Sequence, residues 1–468
     1  MSLRSSRVAG RICVALICAV SGCGSEPADS SRPRNLLLIS LDTLVPGRMS
    51  AYGGPRQTTP NIDTLVRRGI RFTNARSTSP WTLPAHTAML LGRYPTRLAP
   101  DPNDMRLYKL APSLAKLFRD EGFRTAAVTG GAFLAKRLGI AKDFELFAQH
   151  ARWTDRNWNP VERAEAFLEQ IRDQPFFLFF HTYEVHVAYE DRRYADRLDP
   201  GRLESIFRFA QQGMETHRDM CCGEMEPTEV EREFLMALYD GGVAKSDETV
   251  RDLLAVLSRL GLAQNTAVVI TSDHGEEFRE HTRRTAYHGH SLYDELLRVP
   301  MIWYEPGLER AGQTQSELVS LLDIVPTAVA RFELSPPAEL DGVDLSPLID
   351  RGFWTHERVL YGEGVKHGPP RFSVMTEDAK LIVTPDTTVQ NGEGANYPVS
   401  VRAPRELYLR DDPLEQNNRI DDGLPILTEL ETLLARHQAL AAKTKPARPV
   451  PELDRDSLTR LQELGYLQ

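Results

Sequence analysis

The chain has 468 residues, 41% of them apolar and 26% charged, which suits a soluble globular protein with one large domain and room for a smaller one. The formal charge is −9 and no dense lysine and arginine block stands out. A nucleic-acid binder normally carries a basic face, so a nucleic-acid polymer is excluded as a partner.

The N-terminus reads as a targeting segment. Arg4, Arg7 and Arg11 precede the apolar run Ile12–Val20, which is too short to span a membrane. Val20-Ser21-Gly22-Cys23 resembles the lipobox of bacterial lipoproteins. That resemblance implies removal of a signal peptide over 1–22, a lipid on Cys23, and export with the lipid holding the chain to a bacterial membrane, in the periplasm or at the cell surface. An ordinary signal peptide with an incidental cysteine is the plainer alternative. Cleavage removes three arginines and deepens the charge from −9 to −12. Residues 23–34 then form a tether. Of five cysteines, Cys13 and Cys18 leave with the signal, and Cys221 and Cys222 remain with no metal-ligand spacing around them. Adjacent cysteines bridge only with strain, and they receive no catalytic role.

Asn35–Leu41 is a continuous apolar run ending in Asp42, which predicts a buried strand with a carboxylate at its carboxyl end. A helix follows from Thr59, and the segment Ser79-Pro80-Trp81-Thr82-Leu83-Pro84-Ala85-His86 reads as a turn that delivers one hydroxyl to the first turn of another. Helices are expected over Leu114–Arg119, Val161–Ile171 and about Glu229–Leu260. Strands are expected over Arg124–Thr129, Pro175–Phe180 (ending in His181), Thr266–Ser272 (ending in Asp273-His274) and Val299–Tyr304. Strands alternating with helices predict an α/β fold, a large mostly parallel sheet flanked by helices, with ligands bound beyond the carboxyl ends of the strands. From about Glu357 the pattern changes. Phe372–Met375, Lys380–Val383 and Glu406–Leu409 predict a small antiparallel sheet, with a helix near Ile426–Leu440 on it. The expected organisation is a main domain over 35–355, a C-terminal subdomain over 356–442, and a linker with a terminal helix over 443–468.

Two constellations carry chemistry. Asp42, Asp273 and His274 are carboxylates and an imidazole at strand ends, a donor set that can bind a divalent cation. His181 and His186 flank one strand end, and His281, His288 and His290 follow Asp273-His274-Gly275-Glu276. A single such histidine is more often a surface or capping residue; clustering beyond strand ends favours ligands or acid–base groups.

These landmarks resemble the sulfatase family of the alkaline phosphatase superfamily. The resemblance rests on Asn35–Leu44, Tyr52-Gly53, Thr59–Asp63, Leu91–Pro95, Thr271–Glu276, Arg298–Pro300, Leu322–Thr327 and Glu406–Pro413. It implies an alkaline phosphatase-like fold and a hydrolase of sulfate or phosphate esters on a small-molecule or glycan substrate. It also implies a divalent cation (Ca, Mg, Mn or Zn) that polarises the ester oxygens, with Asp42, Asp273, His274 and Thr82 as ligands. His186 matches a residue that contacts the ester and protonates the leaving group. His288 and, more weakly, His281 match substrate-binding positions, and His181 stands behind the ligands. Where the family often has a second Asp after the first, this chain has Thr43.

The departure with most consequence lies at Thr82 and His86. The family has an oxidisable Cys or Ser at the first position, a Pro two residues on and an Arg four residues on. Pro84 is present, but Thr82 replaces the oxidisable residue and His86 the arginine. Oxidised threonine would be a ketone, which hydrates poorly, so a formylglycine mechanism is not expected. Three readings stay open. Thr82 and its neighbour His86 act catalytically, with Thr82 as the nucleophile, which favours a phosphodiester or phosphonate centre. Alternatively, metal-bound water attacks and sulfuric esters are hydrolysed, or the site is degenerate and binds sulfated or phosphorylated ligands.

Overall fold

Every residue of β1 (Asn35–Leu41) is buried, because helices cover both faces of the sheet that β1 crosses. The computed structural model describes residues 33–150, 157–187, 189–195, 228–281, 285–355, 357–385 and 403–444. All of these belong to one compact unit. The expected signal peptide, Cys23, Cys221, Cys222 and the last short helix lie outside the described residues.

Further strands are β2 (Ile70–Arg76), β3 (Arg124–Thr129), β4 (Leu146–Gln149), β5 (Phe176–Thr182), β6 (Thr266–Thr271), β7 (Glu277–Phe278), β8 (Thr285–Tyr287), β9 (Arg298–Tyr304), β10 (Thr314–Gln315) and β11 (Val319–Ser320). Eight of them join β1 in one nine-stranded sheet, in the order β10-β2-β9-β6-β1-β5-β3-β4, with β11 also on β2. β1 is parallel to β5 and β6, and its register sets Ser40 beside His181 on one side and Thr271 on the other. Three strands therefore end at one level and release Asp42, His181 and Asp273 together. The expected strand Val299–Tyr304 is present as β9 but runs antiparallel to both neighbours, β6 and β2.

Alternate residues of β1 feed two cores. Leu36 and Leu38 pack with helices Thr82–Leu91 and Leu114–Asp120. Leu37, Ile39 and Leu41 pack with Pro160–Ile171 and the long helix Glu229–Arg259. Four antiparallel strands, β12 (Leu360–Gly362), β13 (Phe372–Met375), β14 (Ala379–Val383) and β15 (Arg405–Leu409), make the small sheet. Leu430 and Leu434 of helix Ile426–Ala441 close its core over Val374, Leu381 and Leu407. The small sheet begins at Leu360, after residue 355.

Candidate active site

Asp42 leaves the end of β1 and Asp273 the end of β6, and the backbone between them is tied across. Leu44 N–H donates to Ser272 Oγ at 2.9 Å, and Thr43 N–H faces Asp273 Oδ1 at 3.4 Å. Thr43 holds φ at 59°, a left-handed conformation that a β-branched residue adopts only under strain, and such strain concentrates at functional sites.

Asp42 Oδ1 and Asp273 Oδ2 are buried and have no hydrogen-bond donor among the described residues. His274 Nε2 lies 3.8 Å from the first and 3.3 Å from the second. His274 Nδ1 donates to Gly275 O at 2.9 Å, which leaves Nε2 as the ring atom facing the two carboxylates. Burial raises the Asp42 pKa well above its usual range, and the facing Asp273 charge adds to this. Burial also penalises the Asp273 carboxylate, but His274 and His86 overcome it and hold that group well below the usual range. One ligand atom from each of Asp42, Asp273 and His274 falls within a 4.8 Å cluster. Hard oxygen donors plus one imidazole fit a divalent cation, which would relieve the like-charge repulsion.

Thr82 opens helix Thr82–Leu91 after an extended Trp81, so its hydroxyl stands at an end where N–H groups lack intrahelical acceptors. Thr82 Oγ1 lies 3.5 Å from His274 Nε2, and its hydroxyl offsets part of the rise that burial imposes on the Asp42 carboxyl. His86, one turn on, points the other way along the same helix start. Its Nδ1 is 2.9 Å from Thr82 O and 3.2 Å from Asp273 Oδ2, and Ser40 Oγ meets its Nε2 at 2.9 Å. With both ring nitrogens engaged, His86 ties the helix to the ends of β1 and β6. Its contacts are those of a positioning residue. His181 does the same from β5: its Nδ1 accepts from Gly130 N–H at 3.2 Å, so Nε2–H donates to Asp42 Oδ2 at 3.0 Å.

His186 and His288 complete a row of imidazoles. The His288 ring centre is 4.5 Å from His274 and 5.0 Å from His186. His288 Nδ1 is 2.9 Å from Glu276 Oε1, and Tyr189 OH donates to Glu276 Oε2 at 3.0 Å. His186 Nδ1 donates to Val187 O at 2.6 Å, and burial, with His288 beside it, pushes its pKa down to about 3. His281 does not join this group, which corrects the expectation that it binds substrate. Its Nδ1 meets Glu295 Oε1 at 2.8 Å, its Nε2 meets Glu415 O at 2.9 Å, and its ring stacks on Tyr293 at 4.0 Å. His281 lies in the connection between β7 and β8, whereas His288 follows β8. Sequence reasoning missed Ser40, Ser272, Glu276 and Tyr189. Glu276 had a signal in Asp273-His274-Gly275-Glu276; the other three had none.

Beside the site, Glu184 lines a cavity of about 600 Å³ with His181, Tyr183 and Lys245. Its Oε1 accepts from Thr249 Oγ1 at 2.7 Å, while Oε2 is buried without a hydrogen-bond donor among the described residues. Burial pushes the carboxyl up to about 7, against the partial relief given by Thr249 and Lys245. A carboxyl with a raised folded pKa contributes stability below its unfolded value of about 4.5. That contribution, about 3 kcal/mol at most, is lost as the pH rises towards 7. Glu184→Gln is therefore expected to raise the unfolding temperature at pH 8 and to change it little at pH 4.5. Thermal melts at the two pH values check this, and an equal shift at both would refute it.

The fold and this site define a hydrolase acting on ester bonds. The chain matches the sulfatase family model over residues 34–334 and belongs to the sulfatase family. It is 27% identical to arylsulfatase A of Bos taurus, covering 88% of this chain and 89% of that one. It is 26% identical to a Delta 4,5-hexuronate-2-O-sulfatase of Bacteroides thetaiotaomicron, covering 95% and 96%. A crystal structure of a phosphonate monoester hydrolase of Agrobacterium radiobacter has the same fold, with a TM-score of 0.65 at 18% identity over 88% of this chain and 96% of that one.

Proposed function

We propose that the chain is a cation-dependent hydrolase of sulfuric esters that works without formylglycine, with the Thr82 hydroxyl at the point of attack. The observation that carries the proposal is the convergence of two undonated carboxylate oxygens, His274 Nε2 and the Thr82 hydroxyl at one helix start. Asp42, Asp273 and His274 would hold the cation, which when bound supplies Lewis-acid polarisation of the ester oxygens. His288, oriented by Glu276, faces the ester oxygens. The attacking oxygen, that of Thr82 or of a water it holds, bonds to the ester centre and loses its proton to solvent, and the bond to the leaving alcohol oxygen breaks. Where Thr82 Oγ attacks, water then bonds to the same centre, the bond to Oγ breaks, the acid anion leaves, and a proton from that water restores the hydroxyl. His186 is neutral in the open site, so it protonates the leaving oxygen only once an anionic substrate has raised its affinity for a proton.

A second reading, hydrolysis of phosphodiesters or phosphonate esters, is favoured by the Thr82 hydroxyl 3.5 Å from His274 Nε2, because a threonine phosphoester, if that hydroxyl attacks, is released more readily than a threonine sulfate. The reading also includes export and anchoring through a lipid on Cys23, supported by the segment Arg4–Cys23. An aryl sulfate, phosphate, phosphonate and phosphodiester, assayed together with cation content, test it. Fastest turnover is expected on the sulfate. Faster phosphonate or diester turnover favours the second reading, and no turnover with no bound cation favours a binding protein. The intact mass of the mature chain is expected to show Thr82 unmodified and a lipid on Cys23.

A further inference from the structure

The segment 363–367, which follows β12 of the small sheet, is seated directly on the two stretches that carry Thr82 and His288. Glu363 N–H donates to Thr78 O at 2.9 Å, and Trp81 Nε1–H donates to Gly364 O at 2.6 Å. Asn103 Nδ2–H donates to Val365 O at 3.1 Å. The backbone N–H groups of Lys366 and His367 both donate to Gly289 O, at 2.8 and 2.9 Å, and Gly289 N–H in turn donates to Pro80 O at 2.9 Å. Gly289 is needed for this seat. Its φ is +78°, and a Cβ there would stand 3.3 Å from the His367 ring. Such a density of backbone ties fixes where the Lys366 side chain starts.

The Lys366 ammonium lies 4.4 Å from the ring centre of Trp81 and 5.1 Å from that of Phe133, two aromatic faces that hold a cation by its charge. Trp81 is the residue before Thr82. Lys366 is half-buried, whereas Asp42, Thr82, Asp273 and His274 are wholly buried. The cation is therefore held beside the residue that precedes Thr82, with Asp101 the acidic group whose charge acts on it. Burial lowers the Lys366 pKa to about 8, which leaves most of the amine charged at neutral pH. In a chain of net charge −9, a cation held at this spot is a selective feature.

We propose that Lys366 recognises an anionic substituent on the leaving-group side of the ester, so that the preferred substrate carries a second negative charge, such as a carboxylate or another sulfate, beside the ester that is cleaved. This rests on the ester-hydrolase reading above. Lys366 acts on specificity and touches the alcohol portion, not the bond that breaks.

The test compares a phenyl sulfate with the same ester bearing a ring carboxylate, in the wild type and in Lys366→Met and Lys366→Arg. The methionine variant is expected to lose about 10- to 100-fold more kcat/KM on the carboxylated ester than on the neutral one, with arginine recovering part of the difference. Taking the ratio within each variant cancels leaving-group electronics and any general loss of fold. Equal losses on both esters, or none, overturn the proposal. If the wild type turns over neither ester, the hydrolase reading fails. Calorimetric binding of the same two esters then still decides the role of Lys366: loss of the wild-type preference for the carboxylated ester upholds it, and a preference kept by Lys366→Met overturns it.

Discussion

Thr82→Ala is expected to lower turnover of the best ester by about 10³-fold or more while leaving cation content unchanged. The hydroxyl lies 3.5 Å from His274 Nε2, so it is the oxygen of this helix start that faces the cation donors. Removing it takes away one oxygen but neither carboxylate, which is why metal and activity should part company. Thr82→Ser keeps the oxygen and drops only the methyl group, and activity within about tenfold of the wild type is expected. An alanine variant that retains turnover within about tenfold would show that a water molecule, not Thr82, attacks. Steady-state rates on the preferred ester, with cation content by elemental analysis, separate the two outcomes.

Much of this arrangement could be read from residue patterns, and the failures share physical causes. β1, β5 and β6 are buried on both faces, so they appear as unbroken apolar runs with a chemical residue at the end. Parallel register then places Asp42, His181 and Asp273 at one level without further information. β2 escaped detection because Ile70-Arg71-Phe72-Thr73-Asn74 is half-exposed and mixes polar residues into the strand. The misassignment of His281 has a different origin. It lies seven residues from His288, but it sits in the connection between β7 and β8 and meets Glu295 and Glu415, whereas His288 follows β8. Lys366 and Ser40 carried no signal at all. One is brought in by a second sheet, and the other becomes meaningful only through its 2.9 Å contact with His86.

Asp42→Asn is expected to change the sign of its effect with the cation. Without a cation, Asp42 and Asp273 bring two buried carboxylates together, and the Asp42 group rises well above its usual range, chiefly through burial and then through the Asp273 charge. An amide of the same shape removes that repulsion, so the cation-free variant should unfold no earlier than the wild type. With the cation present the order should reverse. A ligand at 100 times its dissociation constant stabilises the native state by about 2.7 kcal/mol, and the variant has lost one of two charged donors. Turnover should fall with the lost site, by about 10³-fold or more. Thermal melts with chelator and with excess Ca, Mg, Mn or Zn, run on both proteins, resolve the crossing. A variant that gains as much from the cation as the wild type does would show that these carboxylates do not hold it. The wild type must in turn show a cation-dependent rise, because the two oxygens that no donor reaches are the ones a cation would satisfy.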